Sequence, residues 1–270
     1  MYLSIIIPAY NEEKRLPKTL AEIDGYLRKQ NYPSADRSDS DESSGVRPED
    51  SAPRDSMSSG QVNYEIIVVS DGSKDKTVEV VRDLIKNIKN LRLIDDEKNY
   101  GKGFVVRKGL LEAKGEFRLF TDADNSTSID QVEKMWPEFK KGFDIVIGSR
   151  DIKGAILDPP QPWLRQVFLG EGFKFFRKIV IGLWNVEDTQ CGFKCFTKKA
   201  AEDVLPKCRI DRFAFDPEIL IVAKKLDYKI KEVPVFWKND INSTVKFQSM
   251  IKMAIDLFKI KINIIKGIYG

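Results

Sequence analysis

Five short runs rich in Ile, Val, Leu and Phe, at 3–8, 65–69, 91–94, 117–121 and 143–147, alternate with longer stretches of helical periodicity at 16–29, 75–89, 103–113 and 129–140. This rhythm is the tightest constraint on the chain. Runs that are apolar at nearly every position suit strands covered by helices on both faces. The expected fold is an α/β domain with a mostly parallel sheet flanked by helices, and in such domains ligands gather beyond the C-terminal ends of the strands. Ser128 and Gln131 form a capping-box pattern at the start of the fourth helix.

The strand ends carry the unusual residues. The first run leads into Pro8-Ala9-Tyr10-Asn11-Glu12, the second into Ser70-Asp71-Gly72-Ser73, and the fourth into Asp122-Ala123-Asp124. A single carboxylate at a strand end is commonly a turn or cap residue; three such ends together point to a site. Asp122 and Asp124, two residues apart, can both approach a hard divalent cation such as Mg²⁺ or Mn²⁺ that bridges protein to phosphate oxygens. Gly101-Lys102-Gly103 does not continue into a dinucleotide fingerprint, because Gly109 follows at the wrong interval, and the Walker A pattern is absent.

Composition narrows the chemistry further. The chain has no histidine, which removes Ser-His-Asp and Cys-His nucleophilic sites, a histidine base and His-ligated zinc. Catalysis must rest on carboxylates, Lys, Arg, backbone amides and oxygen-bound metal. Cys191, Cys195 and Cys208 form neither a disulfide framework nor a zinc set and read as small buried apolar residues in a reducing compartment. No signal peptide is expected at the N-terminus, and no apolar run approaches the roughly 18 residues of a membrane span.

Residues 33–62 contain nine Ser and three Pro but no Leu, Ile, Phe, Trp or Tyr, and carry a net charge of −4. Such a segment cannot bury enough apolar surface to order itself. It is bracketed by Asn31-Tyr32 and Asn63-Tyr64, so removal of 33–64 would join a helix directly to the next strand. It is expected to be a disordered loop insertion in a domain spanning 1–240. Outside it the chain is basic, at net +8.

The series Pro-Ala-Tyr-Asn-Glu, Asp-Gly-Ser, Gly-Lys-Gly and Asp-Ala-Asp resembles the family 2 inverting glycosyltransferases of GT-A fold. Three later runs are similar to those of the dolichyl-phosphate (polyprenyl-phosphate) β-glucosyltransferases: Gly148-Ser149-Arg150, Asp188-Thr189-Gln190-Cys191-Gly192-Phe193-Lys194, and Arg212-Phe213-Ala214-Phe215-Asp216-Pro217-Glu218. The resemblance covers nearly the whole chain apart from the insertion, and the run from Asp188 is its most specific part. It implies transfer of glucose from UDP-glucose to dolichyl or polyprenyl phosphate with inversion. Pro8, Ala9, Tyr10, Glu12, Asp71, Gly72, Lys102, Asp122 and Gln190 would bind the nucleotide sugar, and Asp122 and Asp124 the metal, Asp124 counting also as catalytic. Asp188 would be a catalytic base or orienter. Arg150, Arg165 and Lys246 would grip the acceptor phosphate, which is already anionic and needs positioning more than deprotonation.

Two stretches ask for a lipid surface. In 241–270, Ser249, Lys252, Asp256, Lys259, Asn263 and Lys266 recur at intervals of three and four, so they form one polar stripe of a helix whose remainder is apolar. In 163–184, aromatic and aliphatic residues mix with Arg165, Lys174, Arg177 and Lys178. Both fit amphipathic helices lying in the membrane interface, attracted to anionic lipid; core packing or a face for homo-oligomers is the alternative. The expected location is the cytoplasmic face of a membrane, peripheral and without a span. Nucleic acid is not an expected partner, because the basic-aromatic patch sits on an apolar helix and not along a groove. A GDP-mannose-dependent dolichyl-phosphate mannosyltransferase is the nearest competing function. A sugar nucleotidyltransferase is more remote, since it would need a Gly-rich, Arg-containing loop after the first strand.

Overall fold

The computed structural model describes residues 1–30, 32, 63–159, 172–238 and 247–270, without the side chains of residues 173 and 247–250. Arg165, Lys246, the segment 33–62 and the part of 163–184 before Gly172 lie outside these residues. The elements run β1 (Leu3–Ala9), α1 (Leu16–Leu27), β2 (Tyr64–Asp71), α2 (Thr77–Ile85), β3 (Leu91–Asp96), α3 (Lys102–Glu112), β4 (Phe117–Thr121), α4 (Trp136–Lys140), β5 (Ile145–Ser149), β6 (Ile156–Asp158), α5 (Gly172–Ile181), β7 (Phe193–Thr197), α6 (Lys198–Val204), α7 (Phe215–Lys225), β8 (Ile230–Pro234), β9 (Phe236–Lys238) and α8 (Phe247–Ile265).

The main sheet has the order β3-β2-β1-β4-β7-β5-β8. All of its neighbours pair in parallel except β7, which enters between β4 and β5 antiparallel to both. β6 and β9 form a separate parallel pair. The expected mostly parallel α/β sheet is therefore present, with one reversed strand that periodicity did not reveal.

Every residue of β1 and β2 is buried. Because side chains alternate across a strand, Ile6, Ile67 and Val69 enter the layer shared with α3, α6 and α7, while Ile5, Ile7, Ile66 and Val68 enter the layer shared with α1 and Val81 of α2. This two-sided demand explains the unbroken Ile/Val runs. The three cysteines are free and buried, as their composition suggested.

The fourth helix differs from expectation. It breaks into a 3₁₀ turn at Ile129–Lys134 and the short α4, since Pro137 has no N–H with which to continue a helix through 133. Ser128 precedes the turn without a side-chain cap bond, and the Gln131 side-chain oxygen instead accepts from Lys134 Nζ at 2.7 Å and the Phe236 N–H at 3.2 Å. The boundary of the insertion also shifts. Asn63 donates its side-chain amide to the Tyr32 carbonyl at 2.8 Å, so the flanks of 33–62 meet. Tyr64, however, is core: it begins β2 opposite Leu3 and donates its hydroxyl to Asp24 at 2.8 Å.

Helix α3 lies close on the sheet because Gly109 has no side chain; a Cβ there would stand 2.6 Å from Ile6 Cγ2 and 2.9 Å from Val69 Cγ2. Gly109→Val should overpack this contact and lower stability by about 1–3 kcal/mol, read as a reduced urea midpoint with unchanged slope. An unchanged midpoint would show that α3 can lift from the sheet without cost.

Candidate active site

The ends of β1, β2 and β4 converge on one open cavity, as expected for a sheet of this type. Pro8 and Ala9 close its floor at the end of β1, with Tyr10 and Glu12 on the wall beyond. Asp71 enters from β2, Lys102 and Val105 from the first turns of α3, and Asp122, Ala123 and Asp124 from the end of β4. Eight of the residues expected at a nucleotide-sugar and metal site are thus gathered in one place.

Reciprocal hydrogen bonds fix the wall. Glu12 donates its backbone N–H to Thr77 Oγ1 at 2.8 Å, Asn11 donates its own to Ser73 Oγ at 3.1 Å, and Lys74 N–H returns to Asn11 Oδ1 at 2.8 Å. Asn11 holds a φ of +58°, a conformation that asparagine tolerates better than most residues. Asp71 is 4 % exposed and accepts the N–H groups of Tyr100 at 2.7 Å and Gly101 at 3.0 Å, so it also secures the loop that leads into Lys102. Burial pushes the pKa of Asp71 up despite these bonds, and burial with the nearby charges of Asp124 and Asp122 raises that of Glu12 despite Arg15. Gly72, at φ +66°, allows the 98–99 backbone to pass within 2.8 Å of where a Cβ would stand. It serves the turn and does not line the cavity.

At the far side, Lys102 Nζ stands 2.5 Å from Asp122 Oδ1. Burial disfavours that ammonium, but Asp122, then Asp216 and Asp124, outweigh it and hold its pKa above the usual lysine value. Asp124 Oδ1 accepts the Ser126 N–H at 2.9 Å. The oxygen donors suit a hard divalent cation, and the position of Lys102 shows that Asp122 already draws positive charge. No group of three or more Asp, Glu or Cys with metal-ligand geometry occurs among the described residues. Two carboxylates are sufficient where substrate phosphates complete the shell, as Mg²⁺ sites commonly arrange.

A second constellation sits at the end of β5. Asp188, 3 % exposed, accepts from Arg150 Nε at 2.7 Å, Arg150 Nη2 at 2.9 Å and the backbone N–H groups of Arg150 and Gln190 at 3.0 Å. Burial alone would raise its pKa, yet Arg150 overrides burial and holds the carboxylate well below the usual range. Of the two roles expected for Asp188, this geometry suits the orienter: a carboxylate so placed is a poor proton acceptor. The Arg150 guanidinium also lies 4.7 Å from the Trp237 ring centroid, a contact no sequence pattern announced. Gln190 is not brought to the cavity of Asp71, Lys102 and Asp122; its amide nitrogen meets Met253 Sδ of α8 at 2.7 Å.

Segment 188–194 links the two constellations. β7 pairs Lys194 with Phe120 and Phe193 with Thr121, which lays Gly192 beside Asp122. A methyl on Gly192 would overlap the Asp122 carboxylate. Lys194 and Asp216 form an ion pair behind this contact, and the runs that contain them give neither residue a role by sequence alone.

Helix α8 presents two apolar faces. Met253, Leu257 and Ile260 are buried against the body, while Ile251, Ile255, Phe258, Ile262 and Ile265, spaced by four and three residues, form an exposed stripe on the opposite side. Phe175, Ile179 and Trp184 are also exposed in and after α5, and Phe176 meets Phe258 ring to ring at 5.7 Å. The basic residues of α5 do not serve as a lipid-facing set. Arg177 is buried and donates to the carbonyls of Leu183, Val186 and Glu187, Lys178 pairs with Glu187, and Lys174 pairs with Asp151. Among the described residues no helix is long and apolar enough to cross a membrane.

Residues 57–205 match glycosyl transferase family 2. The dolichyl-phosphate beta-glucosyltransferase ALG5A of Trichomonas vaginalis is 39 % identical over 267 residues, spanning 97 % of this chain and 73 % of the relative. The human dolichyl-phosphate beta-glucosyltransferase is 33 % identical over 280 residues, spanning 98 % of this chain and 76 % of its own length. Glucosyl-3-phosphoglycerate synthase of Mycobacterium tuberculosis, solved with Mn²⁺, UDP and phosphoglyceric acid, superposes at a TM-score of 0.63 and 14 % identity, covering 100 % of this chain and 78 % of that one. The last likeness is one of fold, GT-A. Sequence match and fold agree, and the chain belongs to glycosyl transferase family 2.

Proposed function

We propose that this protein transfers glucose from UDP-glucose to dolichyl phosphate with inversion at the sugar, working at a membrane surface. The observation that carries the reading is the gathering of Glu12, Asp71, Lys102, Asp122 and Asp124 in one cavity, in a chain whose relatives over nearly its full length are dolichyl-phosphate β-glucosyltransferases.

In this reading the β1 and β2 ends hold uridine and ribose, and Lys102 faces the diphosphate. Asp122 and Asp124 would hold a divalent cation, which would supply positive charge to the diphosphate as its bond to the sugar C1 breaks. A phosphate oxygen of the acceptor forms the new bond to C1 from the opposite face, and UDP leaves. Arg150 orients that phosphate, its guanidinium plane set by Asp188 on one side and Trp237 on the other. The acceptor arrives anionic, so Asp188 need not take a proton. The exposed stripe of α8, with Lys252, Lys261 and Lys266 exposed beside it, rests on the lipid surface that carries the acceptor.

Vesicles containing dolichyl phosphate should yield a glucosyl lipid with UDP-glucose and none with GDP-mannose. EDTA should abolish turnover, and Asp124→Ala should lose at least about a hundredfold while remaining folded. Full turnover by metal-free protein in EDTA, or preference for GDP-mannose, would overturn the assignment.

Arg150→Met leaves Asp188 buried without its cation. The expected loss is about 3 kcal/mol, the lower end of the range because Arg150 is partly exposed, and Asp188→Leu in the same chain should recover most of it in thermal melts. Equal loss in the single and double variants would show that the pair does not hold Arg150 in place.

Replacing Ile255, Phe258 and Ile262 together with Ser should leave the melting temperature nearly unchanged, because these side chains are 51 %, 53 % and 49 % exposed. The same variant should no longer float with anionic liposomes. Flotation equal to the parent protein would remove α8 from the lipid surface.

A further inference from the structure

Two lysines and two carboxylates alternate from the cavity lining inward: Lys102 and Asp122 line the cavity, and Lys194 and Asp216 lie behind them. Lys194 is fully buried, with Nζ 2.5 Å from Asp216 Oδ1, 2.5 Å from the Cys191 carbonyl oxygen and 5.1 Å from the Phe120 ring centroid. Asp216 is 6 % exposed and sits in the first turn of α7, where a helix N-terminus favours negative charge. In front of this pair Lys102 rests on Asp122 at 2.5 Å, and after Asp122 the carboxylate that acts most strongly on Lys102 is Asp216. A buried ion pair is weak grounds for stability, since apolar residues of similar volume serve a core as well or better. The Lys194–Asp216 pair therefore calls for an account in terms of what its charges face.

We propose that Lys194 is a positioning residue of the donor site: by neutralising Asp216 it leaves the Lys102 ammonium to Asp122, where it faces the donor diphosphate. This deepens the reading of the cavity as a UDP-glucose site and rests on it.

Lys102 carries a compact charge on a flexible stem, and two carboxylates compete for it. With Asp216 satisfied by Lys194, Asp122 holds Lys102. Without the Lys194 charge, Asp216 becomes a buried, unmatched anion, and the other cation whose charge acts on it is Lys102. The cavity then loses the positive charge that meets the diphosphate. The opposite imbalance acts through Asp122. Without the Asp216 charge, Lys194 is an unmatched ammonium two residues from Gly192, on which the Asp122 carboxylate lies, and it competes with a divalent cation for that carboxylate. Removing both charges removes both imbalances.

The test is a four-member cycle of the full chain: the parent protein, Lys194→Gln, Asp216→Asn and the double variant. Gln and Asn keep hydrogen-bonding capacity while removing charge. Calorimetric titration with UDP-glucose in the presence of Mn²⁺ reads donor affinity without reference to turnover, and thermal melts read folding separately. Each single variant should bind UDP-glucose about tenfold more weakly and the double within about threefold of the parent, the sign of coupling expected for neighbouring charges in one network. Asp216→Asn should also need more Mn²⁺ to reach saturation. In the Lys194→Gln background, Lys102→Met should cost little further affinity, whereas in the parent it costs the full effect; a purely structural role for Lys194 would not produce that dependence.

Single variants that bind like the parent would overturn the proposal, as would a double variant as weak as either single, or loss of folding in all three. If one single variant fails to fold, the other and the double decide by the same criterion. A parent protein that does not bind UDP-glucose with Mn²⁺ would remove the donor reading and this proposal with it. A parent that binds, with variants undisturbed, would remove the proposal alone.

Discussion

Asp122 can turn its carboxylate toward the cavity only because residue 192 has no side chain. Gly192 precedes β7, and β7 runs antiparallel beside β4, so the strand that closes the gap between β4 and β5 also sets the wall behind the C-terminal end of β4. The rest of the site hangs from this register. Two residues after Gly192, Lys194 comes opposite Phe120 and reaches Asp216; four residues before it, Asp188 reaches Arg150. A slip of one residue in β7 would turn Lys194 to the other face of the sheet and separate the Asp122 and Asp188 constellations at once. Their relative placement is a property of one reversed strand pairing, and not of the parallel scaffold that carries the other site residues.

Much of this was legible in the chain because it is written locally. Strand positions followed from β-branched runs buried on two faces, and the cavity residues from polar tails at strand ends. The spacing of Asp122 and Asp124 suggested a cation on its own. What escaped depends on contacts between distant segments. Lys194 and Asp216 are 22 residues apart, and a lysine within Phe193-Lys194-Cys195-Phe196 offers no sign of its partner. Asp71 looked like a ligand-binding carboxylate, and its hold on the Tyr100 and Gly101 amides is visible only once the β3–α3 loop is placed. Ser128 and Gln131 matched a capping pattern, but Pro137 and the call of the β9 backbone on Gln131 decided otherwise.

The same limit applies to α8. Periodicity assigned its polar stripe and left the remaining residues as one broad apolar face, because a helical period tells which residues share a side and not which side is covered. The structure divides them into Met253, Leu257 and Ile260 inside and Ile251, Ile255, Phe258 and Ile262 outside. Arg177 shows the opposite error. A basic residue among aromatics suggests attraction to lipid headgroups, yet its guanidinium closes the chain reversal after α5 by binding three carbonyls.

Because the buried face of α8 already binds it to the body, its outer stripe can meet a lipid surface without refolding. The attachment of α8 also reaches the cavity of Lys102 and Asp122 through the protein. Tyr269, just beyond α8, is buried and donates its hydroxyl to Glu218 at 2.6 Å, and Glu218 accepts the N–H groups of Arg209 and Ile210. The next residue, Asp211, accepts the Phe104 N–H with its carbonyl and pairs with Arg107, both on α3. Helix α8, with its exposed apolar stripe, and helix α3, which carries Lys102, are thus tied to one short backbone segment. Burial raises the Glu218 pKa even with three donors upon it, so this carboxylate is retained in a place that disfavours its charge. Its position is explained by the backbone it organises: without an acceptor for the Arg209 and Ile210 amides, the loop beneath Gly103 would have no fixed path, and the first turn of α3 would lose the surface on which it sits.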